Sequence, residues 1–173
     1  IGWMIRRDSP GPALYRAERV GENGRIFQMY KFRTMVQDAD QHWDSVAVRR
    51  ADGKLNFKQP DDPRITHVGQ WLRHTSLDEL PQLLNVLKGD MSLVGPRPEL
   101  PMVVREEYEP WQWSRFTVPQ GMTGWWQVHR RGFEHQHLCT ADDLYYIQNY
   151  SLMLDIRILM RTVAVVLSGE GAY

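Results

Sequence analysis

Asp78 and Glu79 stand side by side in the run Thr75-Ser76-Leu77-Asp78-Glu79-Leu80-Pro81. An ionised carboxylate can attack phosphorus or hold a hard divalent cation, and two neighbouring ones can divide those tasks. Further along, Arg97 is clamped between Pro96 and Pro98. The proline after it keeps Arg97 out of the helical region, and a preset guanidinium loses little entropy when its planar fork grips phosphate oxygens. Each feature alone has a plain structural reading. Ser76 and Glu79 match a capping box, Asp78 complements a helix dipole, and Pro-Arg-Pro serves as a rigid surface turn. Together they favour phosphate chemistry.

The elements that must hold these groups follow from the flanking residues. Pro81 suits the first turn of a helix, which puts Asp78 and Glu79 at or just before its N-terminus. Leu80, Leu83, Leu84 and Leu87 recur at helical spacing and give that helix one apolar face; Lys88 and Gly89 end it. The dipole there should favour ionised carboxylates by about 0.3–1 kcal/mol. Leu93-Val94 reads as a brief strand. A short helix through Gly69, Trp71, Leu72 and Arg73 delivers the chain to Thr75, and Arg64 and Arg73 are further candidates to face the phosphates bound by Arg97.

Upstream, residues 13–20 and 25–34 read as two strands joined through Glu22-Asn23-Gly24, where Asn-Gly is a strong hairpin signal. Phe27, Met29, Lys31 and Arg33 share one face of the second strand, so Lys31 and Arg33 project together, either toward a diphosphate or into solvent. Residues 35–50 read as a helix and 51–62 as an exposed loop, with Asp61 and Asp62 as solvated turn residues. The segment 99–116 reads as an amphipathic helix broken at Pro110. Gln120 to Gly124 reads as a tight turn where backbone can approach a ligand.

The last helix, 151–167, carries Leu152, Ile156, Leu159, Met160 and Val163 on one face, interrupted by Asp155, Arg157 and Arg161. It is too short and too charged to span a bilayer, but suited to lie on a membrane surface. Trp111, Trp113, Phe116, Trp125 and Trp126 are candidates for the same interface or for the core.

Composition narrows the class. The 173 residues suit one domain, and a 42% hydrophobic share supports a packed core. A formal net charge of +0 argues against a general nucleic-acid binder. Cys139 is the single cysteine, which excludes an intrachain disulfide. His135, His137 and Cys139 alternate as strand neighbours would, a conceivable transition-metal site beside the plainer reading of a loop. Ile1-Gly2-Trp3-Met4-Ile5 before Arg6-Arg7 reads like the end of a hydrophobic segment lying upstream.

The run TSLDELPQLLNVLKGDMSLVGPRPE at 75–99 resembles the signature of the bacterial sugar transferase family, the monotopic phosphoglycosyl transferases. Further stretches agree in the family's order: 8–35, 62–82, PQGMTGWWQV at 119–128 and NYSLMLDIRIL at 149–159. The chain departs from the pattern at Trp125-Trp126-Gln127-Val128-His129-Arg130-Arg131-Gly132, where the family usually has one Trp and then Asn-Gly-Arg.

The resemblance implies an α+β fold, mainly helical, with residues 1–173 forming one catalytic domain that has an N-terminal β-hairpin and amphipathic interfacial helices. It implies an enzyme at the cytoplasmic face of the bacterial inner membrane that moves a sugar 1-phosphate from a UDP-sugar to a polyprenyl phosphate and releases UMP. Carried onto this chain, Asp78 is the expected nucleophile, Glu79 the Mg²⁺ ligand and Arg97 the phosphate clamp. Lys31, Arg33, Arg64, Arg73 and Asp155 are expected around the substrate. Whether the chain forms a homodimer is left open. The alternative is a non-catalytic peripheral membrane module whose arginines and tryptophans bind anionic lipids or a partner.

Overall fold

A computed structural model describes residues 1–39, 41, 48–49, 55–56, 62–130 and 139–168. The fold is α+β and mainly helical, with short sheets and an N-terminal hairpin, as the sequence indicates. Helix α1 (Gly2–Asp8) leads into β1 (Leu14–Val20), which pairs antiparallel with β2 (Ile26–Phe32) across a 3₁₀ turn at Glu22–Gly24. Asn23 and Gly24 both take positive φ, 54° and 76°, which is why Asn-Gly stands there.

The face of β2 that carries Phe27, Met29, Lys31 and Arg33 is the inner one. Phe27 and Met29 pack with Met91. Arg33, just past the strand, is buried and Lys31 is partly so. A second small pair, β3 (Val48–Arg49) with β4 (Leu55–Asn56), is strand where the end of the helix expected over 35–50 and the middle of the loop expected over 51–62 would lie; residues 40, 42–47, 50–54 and 57–61 are outside the described residues. Asp38 at φ 62° already breaks a helical path, and β-branched Val48 fits a strand.

Helix α2 (His67–His74) begins where Thr66 caps it, its side chain accepting the Gly69 amide at 3.0 Å. It packs on α1 through Leu72 and Ile5, and a Cβ at Gly69 would lie 2.0 Å from the Thr34 carbonyl oxygen. A 3₁₀ turn, Leu77–Gln82, then runs directly into α3 (Leu83–Leu87). The expected apolar stripe is present, but it faces outward: Leu80, Leu83, Leu84 and Leu87 are all exposed, Leu87 by 84%. Asn85 is the residue that α3 turns inward, fully buried.

Strand β5 (Ser92–Val94) pairs in parallel with β6 (Gly121–Thr123). The glycines expected to form a turn near a ligand instead let two backbones touch. A Cβ on Gly121 would lie 2.1 Å from the Gly95 nitrogen, and one on Gly124 2.3 Å from the Gly95 carbonyl oxygen. Between these strands lie α4 (Pro101–Glu107) and a 3₁₀ segment, Pro110–Thr117, with the expected break at Pro110.

The chain continues through α5 (Trp125–Arg130), α6 (Thr140–Gln148) and α7 (Leu152–Ser168). Val94, Val128, Tyr146, Leu154 and Ile158 join β5 to these three helices. Phe116 and Trp126 are core residues, while Trp111 and Trp113 are about half exposed. No helix among the described residues is long and apolar enough to cross a membrane.

Candidate active site

The carboxylate pair sits on the 3₁₀ turn after α2, not at the start of a regular helix. Ser76, in the left-handed region at φ 56°, reverses the chain there, and its side chain makes no capping bond. The capping-box reading is therefore not the one adopted. Pro81 lies inside the turn, and its ring limits the backbone motion of the residues before it.

Three cations converge on the pair. Lys31, from the end of β2, places Nζ 3.1 Å from Glu79 Oε1 and 4.0 Å from Asp78 Oδ2. Arg97 donates Nη2 to the same Glu79 oxygen. Arg73, on the last turn of α2, donates Nε to Thr34 Oγ1 at 2.9 Å and lies near enough to stabilise the Asp78 anion. The Asp78 side chain keeps 12% of its surface, against 18–24% for those of Glu79, Lys31 and Arg97.

Burial changes the electrostatics expected of a helix terminus. Loss of water raises the Asp78 pKa above the ordinary carboxylate value; Lys31 pulls it down most, Glu79 pushes it further up, and Arg73 and Arg97 also lower it. Desolvation of a well-buried carboxylate outweighs the partial charge of one short 3₁₀ turn. Burial likewise lowers the Lys31 pKa against the pull of Glu79. Arg97 is held above its ordinary value by Glu79 despite burial. The result is a carboxylate with little water around it, set among cations that complement an anionic ligand.

Other expected site residues lie elsewhere. Arg33 is buried beneath the α1–β1 connection, donating to the Pro12 carbonyl at 2.7 Å, to the Ser9 carbonyl at 2.8 Å and to the Ser9 hydroxyl. It ties chain segments rather than projecting beside Lys31. Arg64 is buried against Asp62, with Nη2 to Oδ2 at 2.7 Å and Nε to Oδ1 at 2.9 Å, and it also reaches the Ala39 carbonyl at 3.1 Å. Asp62 is thus an ion-pair partner and not a solvated turn residue; Asp61 lies outside the described residues.

Asp155 accepts from the Tyr146 hydroxyl at 2.8 Å, holding α7 to α6 beneath β5, the strand that leads to Arg97. His135 and His137 lie outside the described residues and Cys139 is buried. Among the described residues no group of three or more potential ligands could hold a metal ion.

Residues the sequence reading passed over hold the site in place. The buried Asn85 side chain donates to the Gln28 carbonyl at 2.8 Å and accepts the Tyr30 amide at 2.9 Å, which fixes β2 next to Lys31. One signal was available: a lone polar residue amid the leucines of a short helix. Arg115, fully buried, donates to the Arg97 carbonyl at 2.9 Å. Nothing in its local sequence marks it.

Magnesium is held by one or two carboxylates and completes its shell with water and substrate phosphate oxygens. The partly exposed Glu79 carboxylate beside Asp78 meets that modest demand, and Glu79 is the residue that would hold the ion. Its Oε1 is already shared by Lys31 and Arg97, so metal and cations would compete for one group.

Comparison with known proteins extends the picture beyond geometry. A sequence profile described as bacterial sugar transferase matches residues 1–169. A galactosyl transferase CpsE of Streptococcus agalactiae serotype III is 47% identical, the match covering 98% of this chain and 37% of that protein. An undecaprenyl-phosphate galactose phosphotransferase of Salmonella typhimurium is 44% identical over 100% of this chain and 37% of its own length. A UDP-N-acetylgalactosamine-undecaprenyl-phosphate N-acetylgalactosaminephosphotransferase of Aeromonas hydrophila is 40% identical, covering 98% of this chain and 38% of that protein. The chain therefore spans less than two fifths of these curated relatives.

Proposed function

Since the chain belongs to the bacterial sugar transferase family, we propose that it transfers a sugar 1-phosphate from a UDP-sugar to a polyprenyl phosphate such as undecaprenyl phosphate. One observation carries this reading: a desolvated Asp78 beside Glu79, with Lys31 and Arg97 on the Glu79 carboxylate and Arg73 in electrostatic reach. A non-catalytic lipid-binding module has no need to bury a carboxylate among three cations.

Asp78 is the nucleophile. Its carboxylate oxygen forms a bond to the phosphorus that bears the sugar, the bond from that phosphorus to the UMP oxygen breaks, and UMP leaves with the electron pair. In the second step an oxygen of the polyprenyl phosphate attacks the same phosphorus and Asp78 departs as the free carboxylate. A preorganised guanidinium at Arg97 and the ammonium of Lys31 offset negative charge on the diphosphate as it enters. Burial of Asp78 raises its basicity, which favours attack once it is ionised. Glu79 is the proposed Mg²⁺ ligand, and the ion supplies further neutralisation of diphosphate charge.

The acceptor is a lipid, and the surface beside the site is consistent with one. Leu80, Leu83, Leu84 and Leu87 are exposed next to the carboxylates, Leu93 is exposed on β5, and α7 exposes Leu152, Met153, Met160, Val163 and Leu167. β5 contacts both α3 and α7, so these residues lie on neighbouring elements. This apolar face is the proposed seat on the cytoplasmic surface of the inner membrane, with Arg157 and Arg161 near the headgroups.

The test is intact-protein mass spectrometry after incubation with Mg²⁺ and a panel of UDP-sugars that includes UDP-galactose and UDP-N-acetylgalactosamine. A sugar-phosphate mass gain is expected for the wild type and not for Asp78→Asn, while Glu79→Gln forms adduct slowly and with weakened dependence on Mg²⁺. An adduct on Asp78→Asn, with deamidation excluded, overturns the nucleophile assignment.

A further inference from the structure

Arg115 is 0% exposed, and its guanidinium is the meeting point of four segments. Nη2 donates to the Arg97 carbonyl at 2.9 Å and lies 2.6 Å from Asp143 Oδ2 on α6. Nη1 donates to the Tyr108 hydroxyl and lies 3.9 Å from Glu99 Oε2. Its plane sits over the Tyr108 and Phe116 rings, at 5.8 and 5.7 Å from their centroids. The Arg115 carbonyl accepts from Gln120 Nε2 at 3.1 Å, which joins the same group to the approach of β6.

A buried ion pair is weak evidence of stabilisation, because the cost of removing water from both partners offsets their attraction. Burial keeps the Asp143 carboxyl pushed up to about 6 even with Arg115 beside it. The arrangement is better understood through what the segment Gly95-Pro96-Arg97-Pro98 lacks. Pro96 and Pro98 have no amide hydrogen, so this stretch is anchored chiefly through its carbonyls. The Pro96 carbonyl accepts the Gly121 amide at 2.8 Å, and the Arg97 carbonyl accepts Arg115. Glu99, the residue after Pro98, is tied to β1 by its carbonyl, which accepts the Val20 amide at 2.9 Å.

We infer that Arg115, held by Asp143, Glu99 and Tyr108, is a positioning residue that sets the backbone of Arg97 and thereby aims the Arg97 guanidinium at the donor diphosphate. The inference rests on the reading of Arg97 as the phosphate clamp. The planar fork donates to the Arg97 carbonyl and the Tyr108 phenol at once while its charge faces Asp143 and Glu99, so lysine at this position keeps the charge but loses the aim.

The test is a double-mutant cycle read by calorimetric titration of UDP in the presence of Mg²⁺, with thermal denaturation of each variant alongside. UDP carries the diphosphate common to every UDP-sugar, so the result does not depend on which sugar is transferred. Arg115→Lys is expected to weaken UDP binding by about tenfold, the loss of one charge-assisted contact. In the Arg97→Ala background the same change is expected to have no further effect, since a residue that acts through Arg97 has nothing left to aim.

An equal loss in both backgrounds overturns the inference and makes Arg115 a structural residue only. UDP affinity unchanged by Arg97→Ala alone overturns the clamp reading instead, and the inference with it. Should Arg115→Lys fail to give a cooperative thermal transition, Tyr108→Phe, which removes one hydroxyl from the ring of partners, runs the same cycle with the same two outcomes.

Discussion

Asn85 takes the place of a third strand beside Tyr30: its side-chain oxygen accepts the Tyr30 amide at 2.9 Å while its nitrogen donates to the Gln28 carbonyl at 2.8 Å. A helix thereby satisfies the outer edge of β2 one residue from Lys31. Asn85→Leu removes the partner of both part-buried backbone groups, and is expected to cost about 2 kcal/mol, the low end of about 1–3 kcal/mol for each group left unpaired. Urea denaturation of wild type and variant measures it; a loss under about 0.5 kcal/mol, the size of an ordinary surface change, would contradict the role.

Lys31 is the strongest influence holding down the pKa of Asp78, which burial has raised. If the ionised carboxylate attacks, adduct formation falls on the acid side, at a pH above the ordinary aspartate pKa of about 3.9. Lys31→Met removes the opposing charge, so the Asp78 pKa rises further and the acid limb moves to higher pH. Initial rates of adduct formation followed across the acid and neutral range give the answer, and a limb that stays put or moves down contradicts it.

Gly121 sits where two backbones cross. An added Cβ would lie 2.1 Å from the Gly95 nitrogen and 2.5 Å from the Thr123 carbonyl oxygen, both main-chain atoms without a flexible end to move aside. Gly121→Ala must separate β5 from β6 and lengthen the bond from its amide to Pro96, at an expected cost of about 3 kcal/mol. Denaturation midpoints test the cost, and an unchanged midpoint would show that the crossing has slack.

Met153 and Met160 lie seven positions apart on α7, hence on one face, and both are exposed. Replacing the two together by Glu places charge on the proposed membrane seat. Binding to anionic phospholipid vesicles should fall by roughly tenfold or more, because charge is disfavoured at an apolar lipid boundary. Adduct formation from a soluble UDP-sugar should be retained, since neither residue contacts the carboxylates. Vesicle co-sedimentation with parallel mass spectrometry separates the two effects.

What the sequence disclosed is what short stretches encode. Asn23-Gly24 announced the hairpin because few residues tolerate positive φ, and Gly69 with Trp71 and Leu72 marked α2. The carboxylate turn was legible from Pro81 and the adjacent acidic pair. Periodicity found the leucine stripe of α3 but not its direction, since spacing alone does not say whether an apolar face meets the core or the outside. Charge was harder still. Lys31 and Arg33 look alike on one strand, yet Arg33 ends among Ser9 and Pro12 while Lys31 meets Glu79, and only partners far along the chain decide which. Arg115 and Asp143 were invisible for the same reason.

The ion pairs that join Glu79 to Lys31 and to Arg97 span 48 and 18 positions. Both close long loops at an entropic cost, so neither forms without the packing that brings β2, the carboxylate turn and the Pro-Arg-Pro segment together. In the unfolded chain Asp78 is an ordinary hydrated carboxylate. Its raised pKa belongs to the folded chain alone, so by linkage this carboxyl favours folding at acid pH and loses that contribution as pH rises through its folded-state pKa.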